Sequence, residues 1–573
     1  MRLTHFLKPY KRQVILGPLC KFIETVFELF IPILMARLID VGIKHNDIPL
    51  IAGLSACIFG LAVLGFLISI LGQHFAVVAS QGFGTALRKK TFQTITDFSY
   101  SQLDRFSSSS LTTRLTSDIN QLQYMVMMVL RLVLRAPFLC IGSLIGAFII
   151  DWTLALIMLI AIPIAGLVLY FLINLAVKLY RKVQTKLDKI SLTASENLTG
   201  IRVIKAFGQT DSQKEKFVLA GGEHAKSAIK AGWLASLSNP LAILIINLSL
   251  LAIIYLGGIR VNTGRLTQGK MIIFINYISQ IVLALNVLVN LVITVTRALA
   301  SGARISEVLD TKITTDGQGK TLEQFPQGDI VFENVSFKFG EGKEILKDIN
   351  LTIPQGSTFG IVGLTGSGKT ALVNLIPRFY DVKSGKITIG GQDIKNLMPE
   401  VLREHIGIVP QKALLFSGSI KDNILMGNQN ISEEKLIQAV KTAQAGFVEK
   451  LPEKYEYHIE QGGTNLSGGQ KARLTIARAL AKSPEILILD DSASALDFAT
   501  ERRLSQALKK EMKGKTVIII SQRAGSLKNA DIIAVLNEGK ITGLGTHDEL
   551  LKTNQLYQDI YSTQINIEGG QNG

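Results

Sequence analysis

The chain has 573 residues with 61 Lys+Arg against 45 Asp+Glu, a net charge of +16, and is 47% hydrophobic but only 18% charged. That balance excludes a disordered chain, which needs few apolar residues and many charges. A mean hydropathy of +0.32 over this length argues against a purely soluble protein, and the length implies two or three units. Three cysteines exclude a disulfide scaffold; Cys20, Cys57 and Cys140 all fall in apolar stretches and read as small buried hydrophobes. The seven histidines show no metal-ligand spacing.

A bilayer is crossed by roughly 20 apolar residues in a helix. Four stretches free of Asp, Glu, Lys and Arg meet that length: Ile51–Gln73, Thr153–Val177, Ala231–Ile259 and Met271–Thr296. Two more carry charges. Gln13–Ile39 holds Lys21, Glu24, Glu28 and Arg37, and Met125–Ile150 holds Arg131 and Arg135. We read six spans. Glu24, Glu28, Arg131 and Arg135 fall toward span ends, where long side chains are expected to snorkel into water.

The connections alternate. Those between spans one and two, three and four, and five and six are short, and Asp151-Trp152 is nearly the whole of one. Those between spans two and three, and four and five, are about 50 residues with helical periodicity. Arg2, Lys8, Lys11 and Arg12 precede the first span. The fourth-to-fifth connection carries Lys178, Arg181, Lys182, Lys186, Lys189, Arg202, Lys205, Lys214, Lys216, Lys226 and Lys230. The positive-inside rule makes both regions cytoplasmic, and an even number of spans returns the rest of the chain to that side. The N-terminus lacks the cleavage pattern of a signal peptide. Asn197-Leu-Thr fits a glycosylation pattern but lies in a segment expected in the cytoplasm.

Residues 1–310 thus form a helical membrane domain, Thr311–Gly328 a polar linker, and 329–573 a domain of short β-branched runs alternating with helical patterns. The strand Phe359-Gly-Ile-Val runs into Gly363-Leu-Thr-Gly-Ser-Gly-Lys-Thr370, ahead of a helix. This is the P-loop pattern GxxxxGK[ST] in strand–loop–helix context. Backbone N–H groups of Gly363, Leu364, Thr365, Gly366, Ser367, Gly368 and the helix start at Ala371 would converge on phosphates. Lys369 would reach the β- and γ-phosphates, and the Thr370 hydroxyl would ligate Mg2+. Glu485-Ile-Leu-Ile-Leu-Asp490 is an apolar strand ending in a carboxylate placed for that same ion.

Leu466-Ser-Gly-Gly-Gln470 lies just upstream, before a helix rich in Ala and Arg. P-loop, LSGGQ and strand-end Asp in this order resemble the ATP-binding cassette (ABC) superfamily. Phe106–Asp118 and Glu196–Gln209 resemble the cytoplasmic loops of its exporters, so the likeness covers nearly the whole chain. It implies a half-transporter of the type IV, or B-family, fold: an all-α domain of six membrane helices with long cytoplasmic extensions, then an α/β P-loop nucleotide-binding domain. It places Phe339 on adenine, Gln411 at Mg2+ and facing the membrane domain, and Ser494-Ala-Leu-Asp497 as the D-loop. It puts coupling helices near Ser110–Gln121 and Ala206–Gln213. In this family two cassettes pair head to tail, each ATP lying between one P-loop and the other chain's LSGGQ. Ser467, Gly468, Gly469 and Gln470 would therefore bind nucleotide held by a partner.

Two residues depart from the family. After Asp490 the pattern has a glutamate that polarises the attacking water; here it is Asp491. Its carboxylate stops about 1.5 Å short, one C–C bond, against a reach of roughly 2.6–3.2 Å that a general base must achieve. The switch histidine is replaced by Gln522, which donates a hydrogen bond but cannot titrate as imidazole does. A third, smaller difference is Glu460-Gln-Gly-Gly463 in place of Glu-Arg-Gly.

This chain's own site is therefore expected to bind ATP and hydrolyse it poorly, while its intact signature completes a competent site on the partner. The likeness is then to heterodimeric bacterial multidrug exporters of amphipathic drugs or lipids in the cytoplasmic membrane. The partner is expected to carry Glu and His at the two altered positions. An importer built on the exporter fold, or a nucleotide-gated sensor or channel, remains the alternative. Six spans argue against a soluble cassette ATPase on ribosomes or DNA, and nucleic acid is not expected as a partner. No peptidase-like segment precedes the first span, so a leader-cleaving peptide exporter is not expected.

Overall fold

The computed structural model describes residues 3–311, 325–340, 342–426 and 431–569. Most of the linker expected at Thr311–Gly328 lies outside the described residues. The chain divides into two compact units, Met1–Thr96 with Ser109–Thr311, and Asp97–Ser108 with Lys312–Gly573.

The first unit is helical. Its elements are α1 (Lys11–Arg37), α2 (Ile48–Thr96), α4 (Ser108–Thr113), α5 (Ile119–Leu132), α6 (Arg135–Ile150), α7 (Trp152–Thr199), α8 (Ile201–Ala206), α9 (Thr210–Ser236), α10 (Ser238–Asn262) and α11 (Gln268–Asp310); α3 (Tyr100–Arg105) belongs to the second unit. Five described helical stretches are long and apolar enough to cross a membrane, and all but one helical run of the six-span reading is among them. The exception is α1, whose 27 residues carry Lys21, Glu24 and Glu28. The 50-residue connections are largely continuations of the spans. At 49 residues α2 is about 73 Å long, more than twice the hydrocarbon thickness of about 30 Å.

Polar side chains fasten the helix ends. Asp151 caps α7 by accepting from Thr153 N at 2.9 Å and Leu154 N at 3.2 Å, and it pairs with Arg260 at the end of α10. One carboxylate thus supplies the turn between α6 and α7. Asp40, just past α1, accepts from Gly269 N at 2.7 Å and from the Thr267 hydroxyl at 2.5 Å. Along the longer helices, Asp118 is buried and accepts from Ser301 Oγ at 3.0 Å and Arg304 Nε at 2.8 Å, while Arg114 Nη2 donates to Glu307 at 2.9 Å. Removing the hub of that network leaves buried donors unmet. Asp118→Ala is expected to cost about 1–3 kcal/mol, read as a lowered thermal midpoint in detergent.

The charges expected to snorkel do not all do so. Lys21 and Glu24 are buried and joined at 2.6 Å, and Arg135 Nη2 donates to Glu28 Oε1 at 2.6 Å. Pairing replaces water because these side chains face neighbouring helices. The cysteines also depart from expectation: Cys57 is exposed on α2, and Cys20 and Cys140 are half-buried.

The second unit is built on a six-stranded sheet and a four-stranded one. The strands are β1 (Ile330–Lys338), β2 (Glu344–Ile353), β3 (Thr358–Val362), β4 (Ser384–Ile389), β5 (Gln392–Asp393), β6 (Ile406–Val409), β7 (Ile486–Asp490), β8 (Thr516–Ile520), β9 (Ile532–Asn537) and β10 (Lys540–Gly545). The larger sheet runs β10-β9-β3-β8-β7-β6, parallel except for β10; the smaller is antiparallel, β2-β1-β4-β5. Continuous apolar runs such as Ile486–Leu489 and Val517–Ile520 fit strands covered on both faces. Helices α12 (Lys369–Asn374), α13 (Gly468–Ala481) and α14 (Phe498–Glu511) belong to the same unit.

Within this unit the short helix α3 packs on the nucleotide domain. Tyr100 stacks on Phe379 at 4.2 Å, and Tyr380 donates its hydroxyl to Asp104 at 2.7 Å. Burial and the nearby carboxylate push the Tyr380 phenol well above its usual range. The contacting segment is thus upstream of Ser110–Gln121, where the coupling helix was expected.

Candidate nucleotide site

Strand register brings the expected groups to one edge. Ile520 of β8 sits beside Ile361 of β3 and Asp490 of β7, and Val409 of β6 sits beside Leu489. The P-loop after β3, Asp491 after β7, Gln522 two residues past β8 and Gln411 two past β6 therefore emerge together. This is the carboxyl edge of a parallel sheet, where α/β domains bind ligands.

Phe339, Thr365, Gly366, Gly368, Lys369, Thr370, Ala371, Gln411, Asp490, Asp491 and Gln522 line one cavity of about 270 Å³. Ile345 and Ile520 complete the wall and were not singled out from sequence. No motif marks them; both are ordinary strand residues whose register alone puts them there. Gly363, Leu364 and Ser367 belong to the same loop. At Gly368 φ is +103°, and at Gly363 an added Cβ would lie 2.1 Å from the Leu536 carbonyl oxygen. Gly363→Ala is expected to displace the loop and weaken binding of a fluorescent ATP analogue about tenfold, because backbone donors that converge on phosphate would be misplaced.

The Thr370 hydroxyl donates to Asp490 Oδ2 at 2.9 Å, with Oδ1 at 3.1 Å. Hydroxyl and carboxylate oxygens of this kind suit a hard divalent cation, and Ser367 Oγ, in the loop expected to meet phosphate, is buried with no hydrogen-bond partner among the described residues. Thr370, Asp490 and Gln411 would hold Mg2+, which when bound neutralises charge on the β- and γ-phosphates. Lys369 Nζ donates to the carbonyls of Gly363 at 2.8 Å and Leu364 at 2.9 Å. Burial lowers the Lys369 pKa, opposed by Asp491 and Asp490.

Asp491 has φ of +48° and accepts from Gln522 Nε2 at 3.3 Å. Burial raises its pKa, against hydrogen bonds from Gln522 and Gln411 and attraction to Lys369 and Arg523. Phe339 is 41% exposed at the cavity mouth and meets Tyr380 edge-on at 5.0 Å, leaving a ring face for a base.

Ser467, Gly468, Gly469 and Gln470 do not line this cavity. They open α13, where Ser467 Oγ accepts from Gln470 N at 3.3 Å and Gln470 Oε1 accepts from Ser467 N at 2.8 Å. This reciprocal cap fixes a 14-residue helix with its positive end outward. A Cβ on Gly468 would meet nothing within 4 Å. Asp497 of the expected D-loop caps α14 through Thr500 N at 2.9 Å.

Membrane helices and a P-loop cassette of this order define an ATP-hydrolysing membrane transporter class. The profile for the ABC transporter transmembrane region matches residues 14–285, and that for the ABC transporter matches 346–494. The uncharacterized ABC transporter ATP-binding protein YfiB of Bacillus subtilis is 38% identical over 99% of both chains. The ATP-dependent lipid A-core flippase of Desulfotalea psychrophila is 33% identical over 98% of this chain and 99% of its own. A bacterial Atm1-family ABC exporter solved with ATP bound superposes with a TM-score of 0.78 at 24% identity, covering 97% of this chain and 98% of that one. The chain belongs to the ABC transporter family and has the fold of an exporter half-transporter.

Proposed function

We propose that this chain is one subunit of a heterodimeric ATP-driven exporter that moves amphipathic drugs or lipids out across the cytoplasmic membrane, with its N-terminus and nucleotide domain in the cytoplasm. Its own P-loop site mainly holds ATP, and its Ser467–Gln470 turn completes the hydrolytic site of the partner. The observation that carries this reading is the hydrogen bond between Asp491 and Gln522 inside the P-loop cavity, with the signature turn exposed outside it. Relatives include a lipid flippase, which supports an amphipathic cargo.

Hydrolysis requires water to attack the γ-phosphorus while the bond to the β-phosphate oxygen breaks and a base takes the proton. A glutamate in the partner would do this under the donors of α13. At this chain's site Lys369 and the loop N–H groups hold phosphate, while the short Asp491 side chain is tied to Gln522. ATP retained there would keep the two cassettes together between turnovers.

The test is steady-state ATPase of the purified pair. Asp491→Asn should change the rate by no more than about twofold, because a base already out of reach contributes little. Changing the partner's glutamate to glutamine should stop turnover. Equal loss from both would overturn the asymmetric assignment.

A further inference from the structure

A cavity of about 410 Å³ opens among α1, the α5–α6 run and α11. Its wall is apolar at Ile31, Leu132, Leu139, Leu283 and Val287, but Glu28 and Arg135 also face it. Glu28 is twelve residues from Asp40, about 18 Å along the helix. That puts Glu28 well inside the span read over Gln13–Ile39, where ionised side chains are costly. Gln280 Nε2 donates to the Glu28 carbonyl at 3.2 Å, which fixes α11 at the same depth.

Glu28 and Arg135 are the two charges of the wall, with Asn276 and Gln280 as its neutral polar groups. Lys21 and Glu24 are buried behind it, and Lys21 Nζ also donates to Ser69 at 2.8 Å. Arg135 and Glu28 side chains are each 32% exposed, and Arg135 Nη2 lies 3.9 Å from Glu24 as well as 2.6 Å from Glu28. Two cations and two anions cancel. Among the described residues, Glu28 Oε2 and Arg135 Nη1 have no hydrogen-bond partner, so the pair offers one acceptor and one donor side by side.

We propose that this cavity binds a zwitterionic amphipath, with its cationic group on Glu28 Oε2, its anionic group on Arg135 Nη1 and its chain along the apolar wall. The proposal rests on the exporter reading only for its role in transport. A singly charged ligand would have to leave a net charge between the membrane helices, and a neutral one would leave both groups unmet. A zwitterion satisfies both and keeps the balance at zero. Its source is either a bilayer lipid headgroup or a soluble amphipath.

The test is equilibrium binding, without nucleotide, to the purified assembly in anionic-lipid nanodiscs. The probes are dodecylphosphocholine, dodecyltrimethylammonium and the phosphodiester dodecyl methyl phosphate, which share one chain length and whose ionic groups each carry one unit of charge. The wild type should bind dodecylphosphocholine tightest. Glu28→Gln should weaken it about tenfold and make dodecyl methyl phosphate preferred, whereas Arg135→Gln should make dodecyltrimethylammonium preferred. An unchanged order in both variants, or wild-type binding of a singly charged probe as tight as that of the zwitterion, overturns the proposal. If the variants fail to fold, the wild-type order alone decides. Weakened dodecylphosphocholine binding in phosphatidylethanolamine discs identifies a bilayer lipid as the source; unchanged binding identifies a soluble one. Because no nucleotide is used, failure here leaves the ATPase assignment standing, and failure of that assignment leaves this binding order intact.

Discussion

Replacing Gly468 by aspartate should stop ATP turnover in the assembled transporter, by about 10²–10³-fold. The residue opens α13, whose first-turn N–H groups and positive end suit a phosphate. A carboxylate there would present like charge to the γ-phosphate on the partner. The change should be tolerated by the fold, since a Cβ at Gly468 has open space around it. Phosphate release should therefore collapse while the thermal midpoint and ATP binding at this chain's own P-loop persist. The contrast with the mild effect expected of Asp491→Asn tests the proposed asymmetry within a single polypeptide. Retained turnover in Gly468→Asp would remove the signature turn from catalysis.

Lys369→Ala should produce the second large effect, a loss of ATP binding at this chain's own site by a factor of about 10². The ammonium is buried, and two loop carbonyls hold it where phosphate oxygens are expected. Photolabelling with an azido-ATP, resolved by subunit, should show label lost from this chain and kept on the partner. ATPase should fall as well, because an empty site would no longer hold the cassettes together. Loss of label from both chains would mean that the two sites fill only as a unit.

The nucleotide residues were legible because their chemistry is local. A P-loop needs its glycines, Lys369 and Thr370 in a fixed order, and the Ser467–Gln470 cap is complete within four residues. Span lengths were legible for the same reason: an apolar run is a property of one segment. Other features were not. The charges of α1 were expected to snorkel, yet Glu28 meets Arg135, 107 positions away. Which face of a helix turns inward depends on its neighbours, and helical periodicity does not name them. The contact of α3 with Phe379 and Tyr380 carries no motif, and the expected coupling segment lay one short helix too far along the chain.

By itself the amino-acid order determined a helical membrane domain, a P-loop ATPase domain, and the two substitutions Asp491 and Gln522, since each depends on residues close in sequence. Only the tertiary structure showed that those two side chains touch, that Ile345 and Ile520 finish the nucleotide cavity, and that opposite charges share a wall between membrane helices. The reason is register and rotation. Strands fix which loops share an edge, and packed helices fix which polar groups meet, and both are settled by contacts between distant segments.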